Sequence, residues 1–279
     1  LLKSVDGIAR DYLDNYGRES RFNIEGFREL GKTGFFSMCA PRRYGGEEFS
    51  FSMFVEGLRR LAYSDPGSTL GYAIFDTACN VVEQGLEGGN ADYLRDAYRS
   101  MINGNRVAAF ALTEEGSGSD ARSSIKTTYE KGGCSYVITG EKRLITNGMT
   151  ADLIVVAARN KSRPEEISAF LVEVGPKKGF DRYPLKGKHS VKTSETAVLQ
   201  FADYEVPKYS LIGEEGEGFR YFMFALNSGR ITIVPIATAI AKSALDRTVE
   251  YARGRNAFGR NLLDIDSYRN DIELMDRAI

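Results

Sequence analysis

In the first hundred positions of this chain, apolar residues recur at helical spacing, and near Val107 that spacing stops. "FVEGLRRLAYS" (Phe54 to Ser64) puts Phe54, Leu58, Leu61 and Ala62 on one face, at the three-and-four interval of an amphipathic helix. "GFRELGKTGFF" and "ADYLRDAYRSMI" repeat the pattern, and "PRRYGGEE" and "LEGGN" read as loops. Beyond Val107, "SIKTTYEKGGCSYVITGEK" has β-rich flanks around Lys131-Gly132-Gly133, a hairpin signal. "DLIVVAAR", "ISAFLVEV" and "TAVLQFADYEV" follow as Val-, Ile- and Phe-rich strands with no helix between them, which predicts antiparallel pairing in a barrel or sandwich. That block runs to about Ile212. "GEEGEGF" then returns the chain to helix, over Arg220 to Arg255, with Pro235 expected to kink or break it.

The predicted class is therefore α+β, with an N-terminal α-helical domain (1–108), a middle antiparallel β-barrel or sandwich domain (109–212) and a C-terminal α-helical bundle (213–279). The sequence starts at Leu1 and stops inside the helical pattern "ELMDRAI", so a chain incomplete at both ends is expected.

Charge narrows the partners. The 37 basic and 38 acidic side chains leave a net charge of -1, which does not call for nucleic acid or an acidic membrane. Cys39, Cys79 and Cys134 are scattered and His189 is the one histidine, so neither a zinc site nor a histidine-dependent triad is expected. Reduced thiols predict an intracellular, cytoplasmic setting, or the mitochondrial matrix in a eukaryote. No membrane span is predicted, because no apolar run approaches the roughly 20 residues one needs.

One stretch points to a ligand. In "ALTEEGSGSDARS" (Ala111 to Ser123), Gly116, Ser117, Gly118 and Ser119 sit among Glu114, Glu115 and Asp120. No Gly-Lys-Ser/Thr follows, and no strand–loop–helix unit surrounds it, so neither common phosphate loop applies. What remains are backbone N–H groups and hydroxyls without cations, which suit a neutral heteroaromatic rim or a carbonyl. A tight turn with capping Ser and Asp explains the same residues.

The stretch resembles the first signature of the acyl-CoA dehydrogenase family: small residue, aliphatic, Ser/Thr, Glu, then Gly-x-Gly-Ser-Asp. "GFFSMCAPRRYGG", "GEKRLITNG", "SETAVLQFADYEVP", "LIGEEGEGF" and "YARGRNAFGR" resemble further family segments. In the right order they span about Asn23 to Arg260.

The resemblance implies FAD. Phe110, Leu112, Thr113, Gly118 and Ser119, within 110–113 and 116–119, would line the flavin ring and pyrophosphate, with Leu144, Ile145 and Thr146 on the other side. Thr113 and Thr146 would give donors to the flavin edge, favouring the electron-rich reduced form. An aromatic is common in the family where Leu144 stands. Ser119, Leu226, Asn227 and Arg230 would meet an acyl-CoA, and Phe75 to Asn80 with Leu226 would set the pocket depth. Arg255 and Phe258 would reach the FAD of a neighbouring subunit in a homotetramer, Arg255 as pyrophosphate countercharge. An electron-transfer flavoprotein would accept the electrons.

The implied chemistry is α,β-dehydrogenation of a fatty or branched acyl-CoA, with the α-proton leaving to a carboxylate and the β-hydrogen to the flavin as hydride. One family position for that carboxylate falls on Gly229, so the catalytic base is expected beyond Ile279 and no catalytic residue is assigned. Glu273 matches neither family position. Two alternatives share the resemblance: a monooxygenase or acyl-carrier-protein dehydrogenase of the same fold, and a non-catalytic relative that binds flavin or acyl-CoA.

Overall fold

The computed structural model describes residues 2–15, 22–88, 91–116 and 118–279. Its N-terminal layer is helical, with α1 (Leu2–Asn15), α2 (Ile24–Lys32), α3 (Phe51–Ser64), α4 (Pro66–Gln84) and α5 (Ala91–Ile102). Local chemistry sets the starts. Asn23 caps α2 by accepting from the Gly26 N–H at 2.8 Å. Asp65 caps α4 by accepting from the Gly67 and Ser68 N–H groups, with Pro66 filling the first helical turn, where no donor is missed. The anticipated face of α3 is buried: Phe54, Leu58, Leu61 and Ala62 all point into the core.

The strands are β1 (Ala108–Ala111), β2 (Thr128–Lys131), β3 (Ser135–Thr146), β4 (Leu153–Asn160), β5 (Ile167–Glu173), β6 (Phe180–Pro184), β7 (Thr196–Pro207) and β8 (Leu211–Ile212). They form one sheet in the order β6-β7-β3-β2-β4-β5-β8, with β1 also on β4. β2 and β3 make the hairpin expected around Gly132 and Gly133. The all-antiparallel expectation needs correction, because β1 and β2 both run parallel to β4. β1 lies against Leu153 to Val156 and β2 against Arg159 and Asn160, so the glycine-rich stretch and the short α6 (Ala121–Ser124) bulge out between two segments flanking one strand.

The centre of the sheet is buried on both faces. Leu153, Val155, Ala157, Ala169 and Leu171 join the helical core, whereas Ile154, Val156, Ala158, Phe170 and Val172 join a second core with Tyr129, Tyr136 and Phe201. This is the period-two alternation of a strand read from both sides.

α7 (Gly218–Gly254) then packs along α3, α4 and β5. It runs as one helix through Pro235, so the expected break does not occur. It is also long and apolar enough by composition to cross a membrane, which corrects the expectation of no such run; its packing gives part of that surface a place inside the fold. A two-residue hairpin of β9 (Asn256–Ala257) and β10 (Arg260–Asn261) leads to α8 (Asp266–Ala278).

Candidate active site

The two segments expected to face a flavin meet where β1 and β3 end. The Arg143 N–H donates to the Thr113 carbonyl at 2.9 Å, and the Lys142 ammonium donates to the Leu112 carbonyl at 3.2 Å. Between Lys142 and Ile145 the pairing of β3 with β7 skips register, a bulge that places Leu144 at φ 60° and 60% exposed. Leu112 and Ile145 are buried, one in each core, so their backbone rather than their side chains is what this seam presents. Thr113 and Thr146 are half-buried, and neither hydroxyl has a hydrogen-bond partner among the described residues. Phe110 packs its ring against Phe222 of α7, centroids 4.9 Å apart.

The loop continues outward from this seam. Gly116, at φ 75°, Gly118 and Ser119 are exposed, and a Cβ at either glycine would meet open space. Ser117 lies outside the described residues. Asp120 accepts from the Ser123 N–H as the cap of α6, and Glu115 pairs with Arg143 at 2.6 Å. Arg122 lies over the Phe219 ring, which ties the loop to the start of α7.

Glu114 does something the sequence reading did not assign. It is buried and pairs with the fully buried Lys142 at 2.7 Å. Burial pulls the Lys142 ammonium down to about 8, against the upward pull of Glu114. Burial raises the Glu114 carboxyl, but Lys142 and two N–H donors outweigh it and leave it below its ordinary value. Both residues were visible in the segments "LTEEGSGSD" and "GEKRLITNG". Their pairing was not, because 28 residues separate them.

Asn147, in the same "ITN", was also missed. It is fully buried at φ 63°, and its amide donates to the Gly71 carbonyl of α4 and the Ala108 carbonyl of β1. It therefore links the end of β3 to the helical layer.

The substrate candidates lie on α7. Leu226 packs at the margin of the helical core, while Asn227 and Arg230 are exposed one turn apart, with the Arg230 guanidinium donating to the Asn227 side-chain oxygen at 3.0 Å. Gly229 faces α4: a Cβ there would come within 2.9 Å of the Thr77 hydroxyl. A glutamate at 229 would have to displace Thr77, so α4 and α7 approach closely in place of a carboxylate. Thr77 lies in the Phe75 to Asn80 stretch singled out for pocket depth, so that stretch does abut α7.

Arg255 and Phe258 are elsewhere. They follow the C-terminal end of α7, whose 37 residues carry the chain about 55 Å from Gly218. Phe258 tops the β9–β10 hairpin at φ 53°, 94% exposed. Glu273 lies on α8, where no residue is buried.

These features define a helix–sheet–helix protein with an open seam of hydroxyls, unpartnered among the described residues, and backbone groups beside a glycine-rich loop, a setting for a planar polar cofactor. Family comparison agrees. Residues 109–204 match the acyl-CoA dehydrogenase middle domain and residues 216–279 the acyl-CoA dehydrogenase C-terminal domain. The mitochondrial short-chain specific acyl-CoA dehydrogenase of Mus musculus is 35% identical over 269 residues, 94% of this chain and 63% of the relative. The butyryl-CoA dehydrogenase structure from Megasphaera elsdenii superposes with a TM-score of 0.88 at 28% identity, covering 99% of this chain and 75% of that one. A putative acyl-CoA dehydrogenase from Mycobacterium smegmatis gives 0.87 at 30% identity, covering 99% and 73%. This chain belongs to the acyl-CoA dehydrogenase family, whose members are FAD-dependent flavoproteins. It spans 63% of the length of the mouse relative.

Proposed function

We propose that this chain carries the flavin-binding and part of the substrate-binding surface of an enzyme that dehydrogenates acyl-CoA thioesters between the α and β carbons. The observation that carries this is the seam at Thr113 and Thr146: two half-buried hydroxyls from adjacent segments, without hydrogen-bond partners among the described residues, beside an open glycine loop. These residues fit an isoalloxazine edge, which needs donors more than charge. FAD, when bound, supplies the hydride acceptor.

The chain's own residues do the rest. Leu112, Thr113, Ile145 and Thr146 offer backbone and hydroxyl groups to the flavin, Leu144 offers an apolar surface, and Gly118 and Ser119 leave room for the pyrophosphate. Asn227, Arg230 and Ser119 orient the CoA portion, and Leu226 with Thr77 limits the acyl chain. The α-proton leaves to a carboxylate, which we assign to chain beyond Ile279 because Gly229 packs on Thr77. The three units remain 1–108, 109–212 and 213–279. Similarity to the short-chain specific and butyryl-CoA enzymes favours a short acyl group. The assembly is a homotetramer in which Arg255 and Phe258 serve a neighbour's flavin. The acceptor is an electron-transfer flavoprotein, in cytoplasm or matrix.

The test is the visible spectrum of the full-length protein under anaerobic conditions, before and after addition of saturated acyl-CoAs of increasing length. An oxidised-flavin band that bleaches with a short acyl-CoA is expected. A band that no acyl-CoA bleaches would instead favour different chemistry on the same fold.

A further inference from the structure

The glycine-rich loop is an excursion of residues 115–125 between two strand segments, and its ends are joined by one side chain. The Glu114 carboxylate accepts from the Lys126 N–H at 2.6 Å and the Thr127 N–H at 3.1 Å, so the entry residue holds the exit. The same carboxylate accepts from Lys142 at 2.7 Å, and Lys142 also donates to the Leu112 carbonyl. Four backbone positions converge on this ion pair: Leu112 before the loop, Lys126 and Thr127 after it, and Lys142 itself, two residues before Leu144 in β3.

An ion pair this deep is costly to desolvate, and apolar residues of similar volume would hold a core equally well. Its geometry has a different use. No other polar side chain bonds to either charged group among the described residues, and each bond reaches a segment that frames the flavin seam. The flanking charges Glu115, Glu141 and Arg143 are at least one-third exposed and pair with one another, so Glu114 is the charge that faces Lys142.

We propose that Glu114 and Lys142 form a buried staple that fixes the width of the flavin seam and the closure of the glycine-rich loop, a positioning pair for cofactor binding. This rests on the flavin reading given above. Opening the staple frees the described loop residues 118–124, which include the exposed Arg122 and Ser119, while Ile125 and the rest of both hydrophobic cores stay in place.

The experiment uses the full-length flavoprotein and the E114Q/K142M double variant, which leaves no buried charge behind as K142M alone would. FAD-free proteins are titrated with FAD and separately digested with trypsin. The double variant is expected to bind FAD roughly tenfold more weakly, as loss of one to two buried hydrogen bonds implies, and to be cut faster after Arg122. A second readout needs no variant. Lys142 loses its proton near pH 8, so wild-type FAD affinity should fall between pH 7 and 9.5, and that of the double variant should stay flat.

A double variant that binds FAD as tightly as wild type and is cut no faster overturns the staple. Should that variant not fold, the wild-type profile decides, and a flat one overturns the proposal. A wild-type protein that takes up no FAD refutes the flavin reading instead.

Discussion

Asn147 shows what one residue at this site must do. Its left-handed backbone costs little for asparagine and more for most residues, and its amide ties the Gly71 carbonyl, at 2.9 Å, to the strand that carries Thr146. Asn147→Ala should lose both buried bonds, lowering stability by about 2 kcal/mol in urea unfolding of the full-length protein. Unchanged stability would mean that water replaces the amide. The sequence marked Asn147 as part of a family segment, but its partners lie 76 and 39 residues away, where local pattern carries no signal. Asp76, on α4, gives a pH-dependent case. Burial raises its carboxyl from 3.8 to about 7, Asn80 opposes this with a hydrogen bond, and Glu83 adds repulsion. The folded chain thus holds a proton that the unfolded chain releases, so stability declines as pH rises from about 4 to 7 and levels off above. Asp76 is half-buried, and after allowing for solvent the decline should be about 2 kcal/mol. Asp76→Asn should flatten it, as compared by urea unfolding at pH 5 and pH 8.

Elements were legible where the signal is local. The hairpin at Gly132 and Gly133 and the burial of α3 follow from turn chemistry and periodicity alone. The parallel contacts of β1 and β2 with β4 do not, because pairing direction is set by how the chain returns from residues 112–127 and leaves no period in either strand. Pro235 does not break α7, for a related reason. Its ring is buried, but the residue whose carbonyl it frees, Ile231, is 54% exposed and can be solvated, so the helix continues at little cost. The β9–β10 hairpin is strained in the opposite sense. Phe258 sits in a left-handed turn beside Gly259, a position suited to glycine, with its ring 94% exposed. Phe258→Gly should therefore stabilise the FAD-free protein by up to about 1 kcal/mol while weakening FAD binding. Thermal unfolding with and without FAD checks both signs. A loss of stability in the FAD-free protein would show that the ring is covered there and that strain is not the controlling term.

At the scale of the whole molecule, the flavin seam and the Arg255–Phe258 tip belong to opposite ends of α7, about 55 Å apart by helix length. One chain cannot bring them to one cofactor. Between them α7 exposes Phe224, Ile231, Ile233 and Val234, an apolar stretch larger than isolated surface residues would give. In the proposed tetramer each seam is completed by a tip from another copy, so cofactor binding and assembly are thermodynamically linked. Diluting the FAD-loaded full-length protein below its assembly constant should release FAD in step with dissociation, followed by flavin fluorescence and sedimentation on the same samples. Arg255→Ala isolates the tip. The Arg255 side chain is exposed and makes no ion pair among the described residues, so its loss should leave the FAD-free protein's melting temperature unchanged. Removing a charge-assisted contact to the pyrophosphate should still weaken FAD roughly tenfold. If R255A binds FAD as tightly as wild type and occupancy ignores dilution, each chain holds its flavin alone, and the two ends of α7 serve unrelated purposes.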